Sequence, residues 1–201
     1  MPRPSSFDRD ELIEQAMQEL WRSGYEASSV KAMSEKLGIT RSSYYNAFGA
    51  REDLFKETID AYLAQSPCAM LRGELPDIPI LTLLTRMFRA VCSARAVDPE
   101  ARGCLMLNSL CEFDTTKDEL GVLVAGNVLG SIERFEELLQ LAFDNGELAE
   151  LDDVHGTALA LQNLLVGLNV LSKALHDEDE LWLTAKTTLT ALGLYREVEH
   201  A

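Results

Sequence analysis

An all-α fold is predicted for this 201-residue chain by three observations. Apolar residues recur at three- and four-residue intervals, no stretch sustains period-two alternation, and residues that cap or break helices stand at the ends of the periodic segments. The length suits one or two domains and is enough to bury a sizeable core.

Taken in order, the first helix opens at Asp8, with Glu11 three residues on as a capping-box partner. It carries Leu12, Ile13, Ala16, Met17, Leu20 and Trp21 on one stripe, and Gly24 stops it. Ser28 or Ser29 caps a second, short helix with Val30, Met33, Ser34 and Leu37 inward, and Gly38 breaks it. Thr40 caps a third helix of about two turns, Arg41 to Ala47, closed by Phe48-Gly49-Ala50. A fourth runs from Arg51 to about Ser66, with Leu54, Phe55, Ile59, Tyr62 and Leu63 as its apolar face.

Pro67 and the stretch Gly73 to Pro79 mark the expected junction, dividing the chain into residues 1–66 and 67–201. Beyond it, helices are expected at about 79–96, 103–113, 116–144, 153–175 and 179–197. The 153–175 helix is apolar almost all round, so it needs a central position or a partner chain. Leu161, Leu164, Leu168, Leu171, Trp182 and Leu189 are expected to form a dimer interface, which makes the protein a homodimer.

Acidic residues outnumber basic ones by 33 to 18, for a net charge of −15, which disfavours nonspecific binding to nucleic acid or to acidic membranes. The excess is uneven. Residues 1–60 hold 8 basic and 11 acidic side chains against 10 and 22 in residues 61–201, so the amino-terminal end is the better place to meet phosphate. The first six residues have no apolar stretch, so no signal peptide and a cytoplasmic location are expected. The uncharged run from Val154 to Ser172 reaches the length of a membrane span. It contains His155, Gln162, Asn163 and Asn169 and follows Asp152-Asp153, which favours a buried helix. Cys68, Cys92, Cys104 and Cys111 have no CxxC spacing, and His155, His176 and His200 lack a ligand partner at i+3 or i+4, so no metal is expected.

Residues 28–48 form two short helices around the tight turn Leu37-Gly38-Ile39-Thr40, which is helix-turn-helix spacing. The second helix of such a pair enters the DNA major groove, about 12 Å wide. In that pose Arg41, Ser42 and Ser43 face base edges, Arg41 being suited to a bidentate contact with guanine. A plain helical hairpin has the same spacing.

The segments Gly24-Tyr25, Ser28-Ser29-Val30, Gly38-Ile39-Thr40, Tyr44-Tyr45-Asn46-Ala47-Phe48 and Arg51-Glu52-Asp53-Leu54-Phe55 resemble the amino-terminal domain of the TetR family of bacterial transcriptional regulators. The resemblance implies a three-helix DNA-binding domain over 1–66 and a larger helical effector-binding and dimerisation domain over 67–201. It implies further that Ser28, Ser29 and Tyr45 touch the DNA backbone, that Arg51 takes the place of the usual lysine, and that Phe48 is core. Met33-Ser34 replaces a usual Ile-Ala, a packing change. Ala47 replaces a common His or Tyr, which removes a phosphate contact.

A second stretch, Arg102 to Phe113, resembles a subset of the same family in which this helix lies beside the effector pocket, and in which some members with such a cysteine respond to electrophiles or oxidants. The family geometry implies a pocket walled by Met87, Phe88, Cys104, Met106, Asn108, Cys111, Phe113 and Asn163. Cys104, at an expected helix start near Arg102, has the surroundings that favour a thiolate. On one straight helix, Cys104 and Cys111 are about 10 Å apart, too far for a disulfide.

The expected function is that of a homodimeric repressor on a palindromic double-stranded DNA operator, released by a small-molecule effector. A cysteine-based redox or electrophile sensor on the same scaffold is the alternative, and an all-α enzyme a third. No Ser-His-Asp order, paired-carboxylate motif or phosphate loop emerges, so no catalysis and no cofactor are expected.

Overall fold

The computed structural model describes residues 8–150 and 152–197. Among them are nine α-helices and no strand: α1 (Arg9–Ala27), α2 (Val30–Lys36), α3 (Arg41–Phe48), α4 (Arg51–Gln65), α5 (Ile80–Ala96), α6 (Leu105–Leu110), α7 (Glu119–Asp144), α8 (Val154–Leu171) and α9 (Glu178–Ala191). A 3₁₀ turn, Pro67–Leu71, follows α4 where no element is expected.

Most helix starts follow from the nearest polar side chain. Asp8 accepts the N–H of Asp10, Ser29 that of Ala32, Thr40 that of Ser43, and Asp177 that of Glu180. At α4 the cap is Ala50, which has no acceptor, and Asp53 reaches back to accept its N–H at 2.8 Å. Gly24, expected to end the first helix, sits at φ 78° and ψ 170° and breaks its regularity, although one more turn follows before Ser28.

The chain groups into two units, one of residues 1–66 with 104–124 and the other of 67–103 with 125–201. The division expected after Ser66 coincides with one of these breaks, and α6 and the start of α7 group with the first unit. In that unit, Tyr25, Phe55 and Phe113 form an aromatic triangle with centroids 5.1–5.3 Å apart, and Lys56 pairs with Glu119. Phe113 belongs to the predicted pocket wall, yet the structure spends it here.

The second unit is built around Leu81, Leu84, Met87 and Phe88 of α5, Phe135 and Leu138 of α7, Leu161 and Leu168 of α8, and Leu181 and Leu189 of α9. By length and composition α8 is able to cross a membrane, with 18 residues and a mean hydropathy of 1.3. Here Ala158, Leu161, Leu164 and Leu168 serve the core, and two of its polar residues have protein partners: Gln162 accepts from Ser131 and Asn169 from Arg95. α8 stops at Leu171 rather than 175, where the side chains of Asn169 and Ser172 bond to backbone carbonyls. α9 stops at Ala191 rather than 197, because Gly193 at φ 72° lets Leu194 return its N–H to Leu189. α6 spans six residues rather than the expected 103–113, since Gly103 is left-handed at φ 70° and Cys104 is extended.

The expected dimer residues also need correction. Leu161, Leu164, Leu168 and Leu189 are buried within the chain's own core and Trp182 is half-buried; of that set only Leu171 faces solvent. The exposed apolar residues of α8 and α9 are Leu159, Val170, Leu171 and Leu183.

Burial raises the phenols of Tyr25 and Tyr44 from 10.0 to about 12, with Arg51 opposing. Well below pH 10 both are neutral whether folded or not. Between about pH 10 and 12 the unfolded chain loses these protons and the folded chain keeps them, so stability falls across that window. Urea midpoints at pH 9 and pH 11.5 measure the loss, and Tyr25→Phe should make the decline shallower; an equal decline in that variant removes this cause.

Candidate nucleic-acid interface

The α2–α3 pair is held by three local devices. Ser29 starts α2, Gly38 at φ 64° turns the chain, and Thr40 starts α3. Met33 and Leu37 are buried on one side of the turn, Tyr44 and Phe48 on the other, with Tyr44 and Phe48 in edge contact at 5.5 Å. The opposite face of α3 follows by helical spacing. Arg41, Ser42, Tyr45 and Asn46 are exposed, Tyr45 to 56%. The guanidinium, hydroxyl, phenol and amide groups of these four suit base edges and phosphate oxygens.

The predicted contact residues divide into two sets. Arg41, Ser42 and Tyr45 lie on this open face, and Ser29 is exposed at the start of α2 with its hydroxyl oxygen accepting from Ala32. Ser28, Ser43 and Arg51 have other partners. Ser28 is buried and donates its hydroxyl to Gly24 O at 2.7 Å. Ser43 is half-buried and shares a hydrogen bond with the Thr40 hydroxyl at 2.9 Å. Arg51 donates to Ser28 O at 2.9 Å and to Tyr25 O, with its guanidinium 3.7 Å from the Tyr25 ring centroid. It therefore braces the corner between α1 and α2. Asn46, not singled out from the sequence, belongs to the exposed face; the available signal was its position four residues beyond Ser42.

A cleft of about 360 Å³ between α1 and α4 is rimmed by Asp10, Glu14, Glu57 and Asp60, a lining that repels DNA.

The predicted effector-pocket residues do not gather within either unit. Met87 and Phe88 are sealed in the core of the second, Phe88 stacked on Phe135 at 6.3 Å, whereas Asn163 is exposed on α8. Cys104, Met106, Asn108, Cys111 and Phe113 belong to the first unit, with Met106 buried, Cys104 and Asn108 half-buried and Cys111 exposed. The surroundings expected to activate Cys104 are otherwise engaged. Arg102 is bound to Asp98 at 3.1 Å and reaches Glu100 at 3.5 Å, and α6 is too short to carry an appreciable dipole. The Asp98 carboxyl sits below its usual range: its burial works against this, and the bonds from Arg102 more than offset it. Iodoacetamide should accordingly label Cys104 no faster than an unfolded peptide containing it; a severalfold faster rate restores the thiol-sensor reading. Among the described residues, no group of three or more His, Cys, Asp or Glu is placed to hold a metal ion.

Residues 81–188 match the family described as "Tetracyclin repressor-like, C-terminal domain", which takes in more than half the chain, and residues 12–58 match "Bacterial regulatory proteins, tetR family". The chain belongs to the TetR family. It is similar to the uncharacterized HTH-type transcriptional regulator YezE of Bacillus subtilis (strain 168), 27% identical over 96% of this chain and 100% of that protein. It is also similar to the HTH-type transcriptional repressor ComR of Escherichia coli (strain K12), at 25% identity over 93% and 90%. Among solved structures, a cysteine mutant of the TetR family regulator CifR, complexed with 26-base-pair double-strand operator DNA, superposes with a TM-score of 0.82 at 27% identity, covering 94% of this chain and 98% of that one. As a TetR-family member the protein is a DNA-binding transcriptional regulator, and its relatives named here are regulators rather than enzymes.

Proposed function

We propose that the protein is a homodimeric, cytoplasmic repressor that reads a palindromic operator through α3 and is released by a small-molecule effector. The observation that carries this reading is the open α3 face of Arg41, Ser42, Tyr45 and Asn46, set on a capped turn and backed by Tyr44 and Phe48. With a net charge of −15, sequence-blind attraction to DNA is weak, so affinity has to come from a few well-placed groups. Arg41 and Asn46 take base edges, Ser42 either a base or a phosphate, and Ser29 and Tyr45 the backbone. Ser28, Ser43 and Arg51 support these residues from inside.

Pairing of two chains through Leu159, Val170, Leu171 and Leu183 covers apolar surface that one chain leaves in water. Two heads then require half-sites about 34 Å apart or a multiple of that distance. The CifR complex with operator DNA and the repressor role of ComR support this reading by analogy. The effector is proposed to bind in the second unit, where Met87 and Phe88 lie, and to favour a spacing of the heads that no longer fits the operator. Selection from random-sequence duplexes by the purified protein tests the proposal. A palindrome should be enriched; failure to enrich any motif sinks it.

A further inference from the structure

Glu112, just beyond α6, is exposed, yet its carboxylate is aimed at the corner where α1 ends. Its Oε2 accepts the backbone N–H of Tyr25 at 2.8 Å and that of Glu26 at 3.3 Å, across 87 and 86 residues of chain. The corner has the shape to receive it. Gly24, at φ 78° and ψ 170°, breaks the helical ladder, so the N–H groups of the following turn need an acceptor from elsewhere, as at any helix start. A Cβ on residue 24 would lie 2.6 Å from Oε1 and 2.8 Å from Oε2, so the carboxylate occupies space that only glycine leaves open. An ionised acceptor makes such bonds roughly twice as strong as neutral ones.

The rest of the reading head hangs from this corner. Tyr25 and Ser28 offer their carbonyls to Arg51, and the next residue, Ser29, caps α2. Phe113, adjacent to Glu112, sets its ring 5.1 Å from that of Tyr25 and 5.3 Å from that of Phe55. We propose that Glu112 is a positioning residue for operator recognition: its carboxylate clamps the Tyr25 and Glu26 amides and so fixes the corner from which α2 and α3 project. It touches no DNA and acts through the backbone of α1. The inference rests on α3 being the reading helix.

The test compares the full-length protein with Glu112→Ala and Glu112→Gln. Two duplexes of equal length are used, one enriched by the wild-type protein from random sequence and one of mixed sequence, and amide hydrogen exchange is followed at Tyr25 and Glu26. Glu112→Ala should bind the enriched duplex about tenfold more weakly while binding to the mixed duplex stays within about twofold, and both amides should exchange about tenfold faster. Glu112→Gln, which keeps one amide-accepting oxygen at the same reach, should return to within about threefold of wild type. An equal fall on both duplexes marks a merely structural role and overturns the proposal, as does unchanged binding to the enriched duplex. Should Glu112→Ala not fold, Glu112→Asp, whose carboxylate is one methylene short of the corner, takes its place: unchanged exchange at both amides overturns the clamp. Should the wild type enrich no duplex, the reading of α3 has failed, and the exchange comparison then decides the clamp by the same criterion.

Discussion

Replacing Val170 and Leu183 together with aspartate should convert the protein into a 22.3 kDa monomer that keeps its fold and loses its operator. Val170 and Leu183 are 58% and 63% exposed, so within one chain the substitutions resemble ordinary surface changes, worth within about 0.5 kcal/mol. In the proposed pairing of two chains the same carboxylates would be buried unpaired against their counterparts, which is strongly unfavourable. Binding by one head forfeits the effective concentration that tethers the second half-site, and operator affinity should fall by about 10²- to 10⁴-fold. Light scattering at micromolar concentration and operator titration measure the two effects. A variant that stays dimeric shows that the chains pair through another surface.

Arg41→Ala should cost about 1–3 kcal/mol of operator affinity and relax the base preference at one position in each half-site. Arg41 is exposed on the first turn of α3, so its removal leaves Tyr44 and Phe48 packed and the thermal midpoint unchanged. Tyr45→Phe makes a useful contrast. It removes the hydroxyl proposed to meet the DNA backbone and should weaken binding evenly across sequences without changing the preferred site. Repeating the selection with each variant separates the two outcomes. If the enriched motif keeps its full information content with Arg41→Ala, this residue does not read bases.

The pattern of helices was legible because its signals are short-range. Asp8, Ser29, Thr40 and Asp177 each cap with an N–H two or three residues away, so the chain neighbours alone settle those starts. The sides of α3 were legible in part for the same reason: spacing places Arg41, Ser42 and Tyr45 on one face, whereas Ser43, expected there, is half-buried against Thr40, and Asn46, four residues beyond Ser42, was not singled out. The family resemblance placed the helix-turn-helix in the amino-terminal domain, but it could not tell which matched residues point outward. Ser28 and Arg51 hold family contact positions and face inward, because the nearest acceptors are the carbonyls freed at the end of α1.

What the sequence by itself determined is the all-helical class, the helix-turn-helix and most helix starts, all written within a few residues of where they act. Tertiary structure alone decided three further matters. An all-round apolar helix such as α8 gives no clue to which leucines go inside, so Leu161, Leu164 and Leu168 became core while Leu159, Val170 and Leu171 were left outside. The stretch 104–124 reads as part of the larger unit but groups with the first, drawn there by Phe113 against Tyr25 and Phe55. Two helix ends took their acceptors from far along the chain, Glu112 at Tyr25 and Glu147 at the N–H groups of Ile80 and Leu81. A lone glutamate carries no mark of the amide it will meet, because that choice depends on how distant helices pack and not on the residues beside it.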